Sequence, residues 1–253
     1  MAKPLLVANW KNYPSSLSEA QRLLRELAKK RELFKKVSLF IAPPSPYLES
    51  VSNKIKRFGS LACQDISSLA KGTYTGEVTS EMLKSFAVRL AIVGHSERRA
   101  LGETSKDVAS KIDVALKSGI APLVCIGELE RDKDGEHFEF LRQELKLMLS
   151  GISKNEVVKI ALAYEPVWAV GKYAKEAINP QELSQTVIFL RKVLGDLFGR
   201  AAADKVPILY GGSVEPANAG ELMNGSGIRG FLVGRSSLNA ESLEAIARDI
   251  ISL

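Results

Sequence analysis

Residues 160–194 read IALAYEPVWAVGKYAKEAINPQELSQTVIFLRKVL, and the order of patterns in that stretch decides the fold. It opens on an uninterrupted apolar run, Ile160 to Tyr164, of the kind expected of a strand covered on both faces. Glu165 ends the run and Pro166 opens a loop. Asn179-Pro180-Gln181-Glu182 then supplies an N-cap, a first-position proline and an acidic third position, which together start a helix. Leu183, Val187, Leu190 and Leu194 follow at three- and four-residue steps, giving that helix one apolar face to lay on a sheet.

The same unit recurs along the chain. Further β-rich runs cover Leu5 to Asn9, Val37 to Ala42, Leu61 to Gln64, Leu90 to Val93, Pro122 to Ile126, Pro207 to Tyr210 and Phe231 to Val233, which with Ile160 to Tyr164 makes eight. Helical segments separate them, and Ser16-Leu17-Ser18-Glu19 fits another capping box. Strand and helix in alternation imply parallel strands joined by right-handed crossovers. Eight such units in 253 residues suit an α/β closed (β/α)8 barrel, a TIM barrel with outer helices, spanning 1–253 as a single domain. Periodicity alone also permits an open doubly wound sheet.

A hydrophobic fraction of 45% and a charged fraction of 25% are those of an ordinary globular chain, and no stretch is long and apolar enough to span a bilayer. The apolar run after Pro4 is too brief for a secretory h-region, so the reading is cytoplasmic with no membrane partner. Cys63 and Cys125 sit inside strand runs, where a free thiol acts as a small buried hydrophobe. The net charge of +6 does not imply nucleic acid. Lys29-Lys30-Arg31, Lys35-Lys36 and Lys54-Ile55-Lys56-Arg57 fall near expected helix ends, where cations complement the helix dipole, and no aromatic interleaving accompanies them. A modest positive field still draws in a small anion.

In such a barrel chemistry gathers on the carboxyl face. The polar residues obey this: Asn9 and Lys11 close the first strand run, His95 and Glu97 the fourth and Glu165 the sixth, and glycine-rich turns follow the last two. A base, an imidazole, a cation and an amide thus converge on one mouth.

At these positions the sequence closely resembles the triosephosphate isomerase family. The resemblance runs from residue 7 to about 238. It is carried by Asn9-Trp10-Lys11, Tyr74-Thr75-Gly76-Glu77, Gly94-His95-Ser96-Glu97-Arg98-Arg99, Cys125-Ile126-Gly127-Glu128, Tyr164-Glu165-Pro166-Val167-Trp168-Ala169 and Tyr210-Gly211-Gly212-Ser213. It implies a cofactor-free, metal-free interconversion of dihydroxyacetone phosphate and glyceraldehyde 3-phosphate, with Glu165 as base and His95 as a neutral donor. Those two roles are taken from the family, itself a standard case of this chemistry. Lys11 offers positive charge to the substrate, Asn9 a neutral donor beside it, and Glu97 a carboxylate that orients its neighbours. Backbone N–H groups of Gly171, Ser213, Gly234 and Arg235 are expected to hold phosphate. Thr75 resembles the residue this family inserts into its partner's active site, which implies a homodimer. His137 is expected on a surface helix.

The sequence departs from the family in two turns. Gly171-Lys172-Tyr173 stands where Thr-Gly usually follows the glycine, and Gly234-Arg235-Ser236 where Gly-Gly-Ala is usual. Arg235 is expected to keep an ordinary backbone geometry with its N–H toward phosphate. Ala8 for glycine and Asn12-Tyr13 for Met-Asn are smaller changes near the dimer contact.

Three other patterns lack their context. Gly225-Ser226-Gly227-Ile228-Arg229-Gly230 precedes a strand run instead of following one, unlike a dinucleotide loop. Gly94-His95-Ser96 has Arg98 where a nucleophile elbow needs glycine. Asp132-Lys133-Asp134-Gly135 carries too few ligands for a calcium loop and reads as a polar turn. Two rival functions remain: a lyase or aldolase on the same barrel, with Lys11 forming a Schiff base, and a non-catalytic phosphate-binding barrel.

Overall fold

A computed structural model describes residues 3–69, 71–132, 134–169 and 178–252. Its strands are β1 (Leu5–Asn9), β2 (Ser38–Ala42), β3 (Ser60–Cys63), β4 (Val88–Val93), β5 (Ala121–Ile126), β6 (Ala161–Tyr164), β7 (Ile208–Tyr210) and β8 (Gly230–Val233). They form a closed barrel in chain order. Every pairing is parallel, and β1 pairs with both β2 and β8, so the open-sheet alternative is gone.

The period of two within each strand sorts its side chains into two cores. Val7, Ala42, Ala62, Leu90, Ile92, Leu123, Cys125, Ala161, Ala163, Leu209 and Leu232 fill the barrel's interior. Their neighbours, among them Leu6, Ala8, Ala91, Val93, Val124, Leu162 and Tyr164, pack outward under the helices. Both faces are therefore apolar, which is why the strand runs look continuous in the sequence. The four inward alanines are small enough to let the strands close around one another. Carried to the end of β1 and one step past β6, the inward series Val7 and Ala163 reaches Asn9 and Glu165. The same alternation that packs the barrel thus aims these two polar groups up its axis.

The helix starts follow the expected chemistry with one difference. Asn179 Oδ1 accepts the Glu182 N–H at 2.9 Å and Glu182 returns the bond to the Asn179 N–H at 3.4 Å. At Ser16 only half the box closes. Its Oγ accepts the Glu19 N–H at 3.3 Å, but the Glu19 carboxylate takes the N–H and hydroxyl of Ser15, two donors to one oxygen. The basic clusters do fall at helix ends, after Leu17–Lys29, Arg31–Phe34 and Leu48–Ile55.

His137 lies on the helix Glu136–Met148, yet it is buried and not at the surface. The cause is Asp132, whose carboxylate accepts from the N–H groups of Glu136 and His137 at 2.9 and 2.7 Å and holds the ring Nδ1 at 2.9 Å. Desolvation pushes this carboxyl up, but the His137 donors outweigh it and hold it well below its usual range. Cys63 and Cys125 are free and buried, and burial pushes both thiols well up. Among the described residues no helix is long and apolar enough to cross a membrane.

Candidate active site

Glu165 is the centre of the mouth. Its N–H is tied to the Ile126 carbonyl at 2.8 Å, and its side chain is only 2% exposed. One carboxylate oxygen, Oε2, accepts the Ser96 N–H at 3.3 Å. The other, Oε1, lies 3.3 Å from His95 Nε2 yet is buried without an aligned donor. It therefore keeps a free lone pair, the property a base needs.

Two glycines make the room. A Cβ at position 211 would stand 2.7 Å from Glu165 Cγ, and one at 127 would stand 1.9 Å from the Glu165 carbonyl oxygen. Cys125 completes the niche; burial first, and the Glu165 charge second, keep it a thiol.

His95 caps the short helix Ser96–Ala100, with φ −54° and ψ 142°, and its Nδ1 accepts the Glu97 N–H at 3.1 Å. An N–H donated to Nδ1 requires a lone pair there. The hydrogen-bond network therefore assigns the ring proton to Nε2, facing Glu165. His95 is 5% exposed, so water does not compete for this arrangement.

Lys11 sits across the mouth, its backbone at φ 51°, a region few side-chain-bearing residues occupy. Asn9 Oδ1 accepts its N–H at 3.0 Å and Gln64 Nε2 donates to its carbonyl at 2.6 Å. Lys11 Nζ then meets Glu97 Oε1 at 2.6 Å, with Glu97 itself 59% exposed. Gln64 also reaches the Ala42 carbonyl at 3.0 Å, so it joins the ends of β1, β2 and β3. Sequence reasoning missed Gln64, Gly127, Gly211 and Cys125 as site components; for Gln64 the signal was a polar residue ending an apolar run.

The turns after β6, β7 and β8 lie beside one another. Ser213 Oγ donates to the Ala169 carbonyl at 3.0 Å, and Ser236 Oγ to the Val214 carbonyl at 2.8 Å, lacing the turns after β6, β7 and β8 together. Gly234 adopts φ −87° and ψ −102°, and a Cβ there would lie 3.4 Å from Lys11 Cε. Arg235 has no positive φ, as expected. Gly171, with Lys172 and Tyr173, lies outside the described residues. Thr75 is exposed on the loop after β3.

The stub of the loop after β6 is anchored from below. Glu128, 1% exposed, accepts Tyr164 Oη at 2.8 Å and Trp168 Nε1 at 2.9 Å, while its carbonyl takes the Val167 N–H at 2.9 Å. Arg131 lies 5.9 Å above the Trp168 ring.

A buried carboxylate with a free lone pair, opposite a neutral N–H donor, is equipment for moving a proton between neighbouring carbons, and the chain is an isomerase. The triosephosphate isomerase family model matches residues 4–250. The triosephosphate isomerase of Citrifermentans bemidjiense is 39% identical over 251 residues, covering 98% of this chain and 99% of that protein. That of Rhodococcus jostii is 38% identical over 257 residues, covering 97% of each. That of Flavobacterium johnsoniae is 35% identical over 253 residues, covering 99% of this chain and all of the relative. The chain belongs to the triosephosphate isomerase family.

Proposed function

We propose that the chain, as one catalytic barrel domain, interconverts dihydroxyacetone phosphate and D-glyceraldehyde 3-phosphate in glycolysis and gluconeogenesis, with Glu165 carrying the proton. Taking a proton from the carbon beside a carbonyl leaves an enediolate, whose oxygen bears the negative charge. Glu165 Oε1 removes that proton from one carbon and returns it to the next. His95 Nε2–H donates to the developing oxyanion and passes the hydroxyl proton from one oxygen to the other, and the Lys11 ammonium, with Asn9 behind it, supplies positive charge. Glu97 holds Lys11 by its ammonium and caps His95 with its N–H, so it positions both. Gly171, Ser213, Gly234 and Arg235 offer backbone N–H groups to the phosphate.

The observation that carries this reading is the free Glu165 Oε1 facing His95 Nε2 at 3.3 Å in a buried niche. The Schiff-base alternative is disfavoured by the Lys11–Glu97 contact at 2.6 Å, because an ammonium held by a carboxylate has no lone pair to attack a carbonyl. Borohydride added with substrate would trap Lys11 covalently if that alternative held. A coupled isomerase assay tests the main reading. Glu165→Asp keeps the carboxylate but retracts it by about 1 Å or more, and kcat is expected to fall about a hundredfold. Equal rates would remove Glu165 from the role of base.

A homodimer is supported by exposed apolar side chains on the segments that follow β1, β3 and β4. Tyr13 and Leu17 follow β1, Tyr74 and Met82 follow β3, and Leu101 follows β4, and all are between 43% and 79% exposed. Thr75, exposed next to Tyr74, is the residue proposed to meet a second copy. A cytoplasmic location fits the substrate class.

A further inference from the structure

We infer that the Arg235 side chain is a phosphate-binding cation of this isomerase, beyond the backbone N–H of the same residue. The inference rests on the phosphate reading of the turns after β7 and β8. Lys11 has its ammonium against Glu97 at 2.6 Å, and Arg98 has its guanidinium on Asp65 at 3.1 Å. Glu165 is a carboxylate. Among the described residues, Lys11, Glu97 and Glu165 together therefore carry one net negative charge in the mouth that a phosphate-bearing substrate enters. A glycine pair in the β8 turn would leave that deficit standing.

Arg235 offsets it. Among the described residues no carboxylate pairs with its guanidinium, and the residue is exposed. Its neighbour Gly234 lies against the Lys11 side chain, 3.4 Å from Cε and 3.9 Å from Nζ by its Cβ position. Its other neighbour, Ser236, is bonded to the Val214 carbonyl beside Ser213 at 2.8 Å. The Arg235 backbone is thus held between Gly234, against the Lys11 side chain, and Ser236, on the turn after β7. Its position is firm, because buried Ser237 bonds back to the Gly234 carbonyl through both N–H, at 2.9 Å, and hydroxyl, at 2.6 Å. The backbone is unstrained, so arginine occupies this turn at no conformational cost. A guanidinium matches phosphate with two parallel N–H donors and stays charged at every working pH.

The test compares wild type with Arg235→Gln and Arg235→Lys, using inorganic phosphate as the probe. Calorimetric titration is expected to show phosphate binding weakened about three- to tenfold in Arg235→Gln, the range of a partly exposed charge-assisted contact. Arg235→Lys recovers most of it. The KM for triose phosphate rises by the same factor, and kcat/KM becomes less sensitive to ionic strength. In wild type, the Arg235 side-chain N–H resonance shifts as phosphate is added. Unchanged phosphate affinity and an unchanged salt slope in Arg235→Gln, or a wild-type resonance indifferent to phosphate, overturns the inference. Phosphate binding needs no turnover, so these results are independent of whether Glu165 is the base.

Discussion

The half of the mouth built on β4 and β6 and the half built on β7 and β8 solve different problems with different materials. The first uses buried side chains. Glu165 and His95 are 2% and 5% exposed, each fixed by backbone N–H groups of the helix that starts at Ser96. The second uses turns, where Ser213, Gly234 and Arg235 are half-buried or exposed and hydroxyl-to-carbonyl bonds hold one loop to the next. Proton transfer requires one atom in one place and a low local dielectric. Gripping a phosphate requires several N–H groups around an anion that carries its own charge. Damage to the first half should therefore appear in kcat, and damage to the second in KM.

The sharpest way to break this contrast is Glu165→Ala, which removes the proposed base outright. A loss of about ten-thousandfold in kcat, with KM little changed, is expected in steady-state assays. Next in size is Gly211→Ala. Its Cβ would meet Glu165 Cγ at 2.7 Å, so a residue in the β7 turn should behave as part of the proton-transfer half, with kcat falling about a hundredfold. A change confined to KM there would erase the boundary drawn between the halves. Among the described residues, Tyr164→Phe leaves Glu128 with Trp168 as its only side-chain donor and is expected to cost about 1 kcal/mol in denaturant unfolding. Smallest is Ser213→Ala, which loses the bond to the Ala169 carbonyl but keeps the backbone N–H; KM should rise about threefold at constant kcat.

The same division governs what could be read in the sequence. The strands were legible because both faces are apolar, and the helix at Pro180–Phe198 because its cap is spelled out in four consecutive residues. Glu165, His95 and Lys11 were visible as polar residues interrupting apolar runs. The support beneath them was not. Gly127 and Gly211 matter through the space they leave around a residue distant in the chain, and Lys11 through a positive φ that its own sequence gives no reason to expect. The His137 ring is drawn inward by Asp132, a contact made across a turn that periodicity treats as solvent. Contacts set by tertiary closure leave no local pattern. The Arg235 guanidinium belongs to the same group, since its worth depends on the Glu97 partner of Lys11.

The central claim is that Glu165 moves a carbon-bound proton, and solvent exchange reads that step directly. Dihydroxyacetone phosphate in D₂O is followed by proton NMR with wild type and with Glu165→Gln, which keeps the shape and one acceptor oxygen for the Ser96 N–H but cannot act as a carboxylate base. Wild type should incorporate deuterium at one of the two C1 hydrogens, and Glu165→Gln should lose that incorporation while its fold, checked by circular dichroism, is intact. Exchange at the wild-type rate by a folded Glu165→Gln would contradict the account.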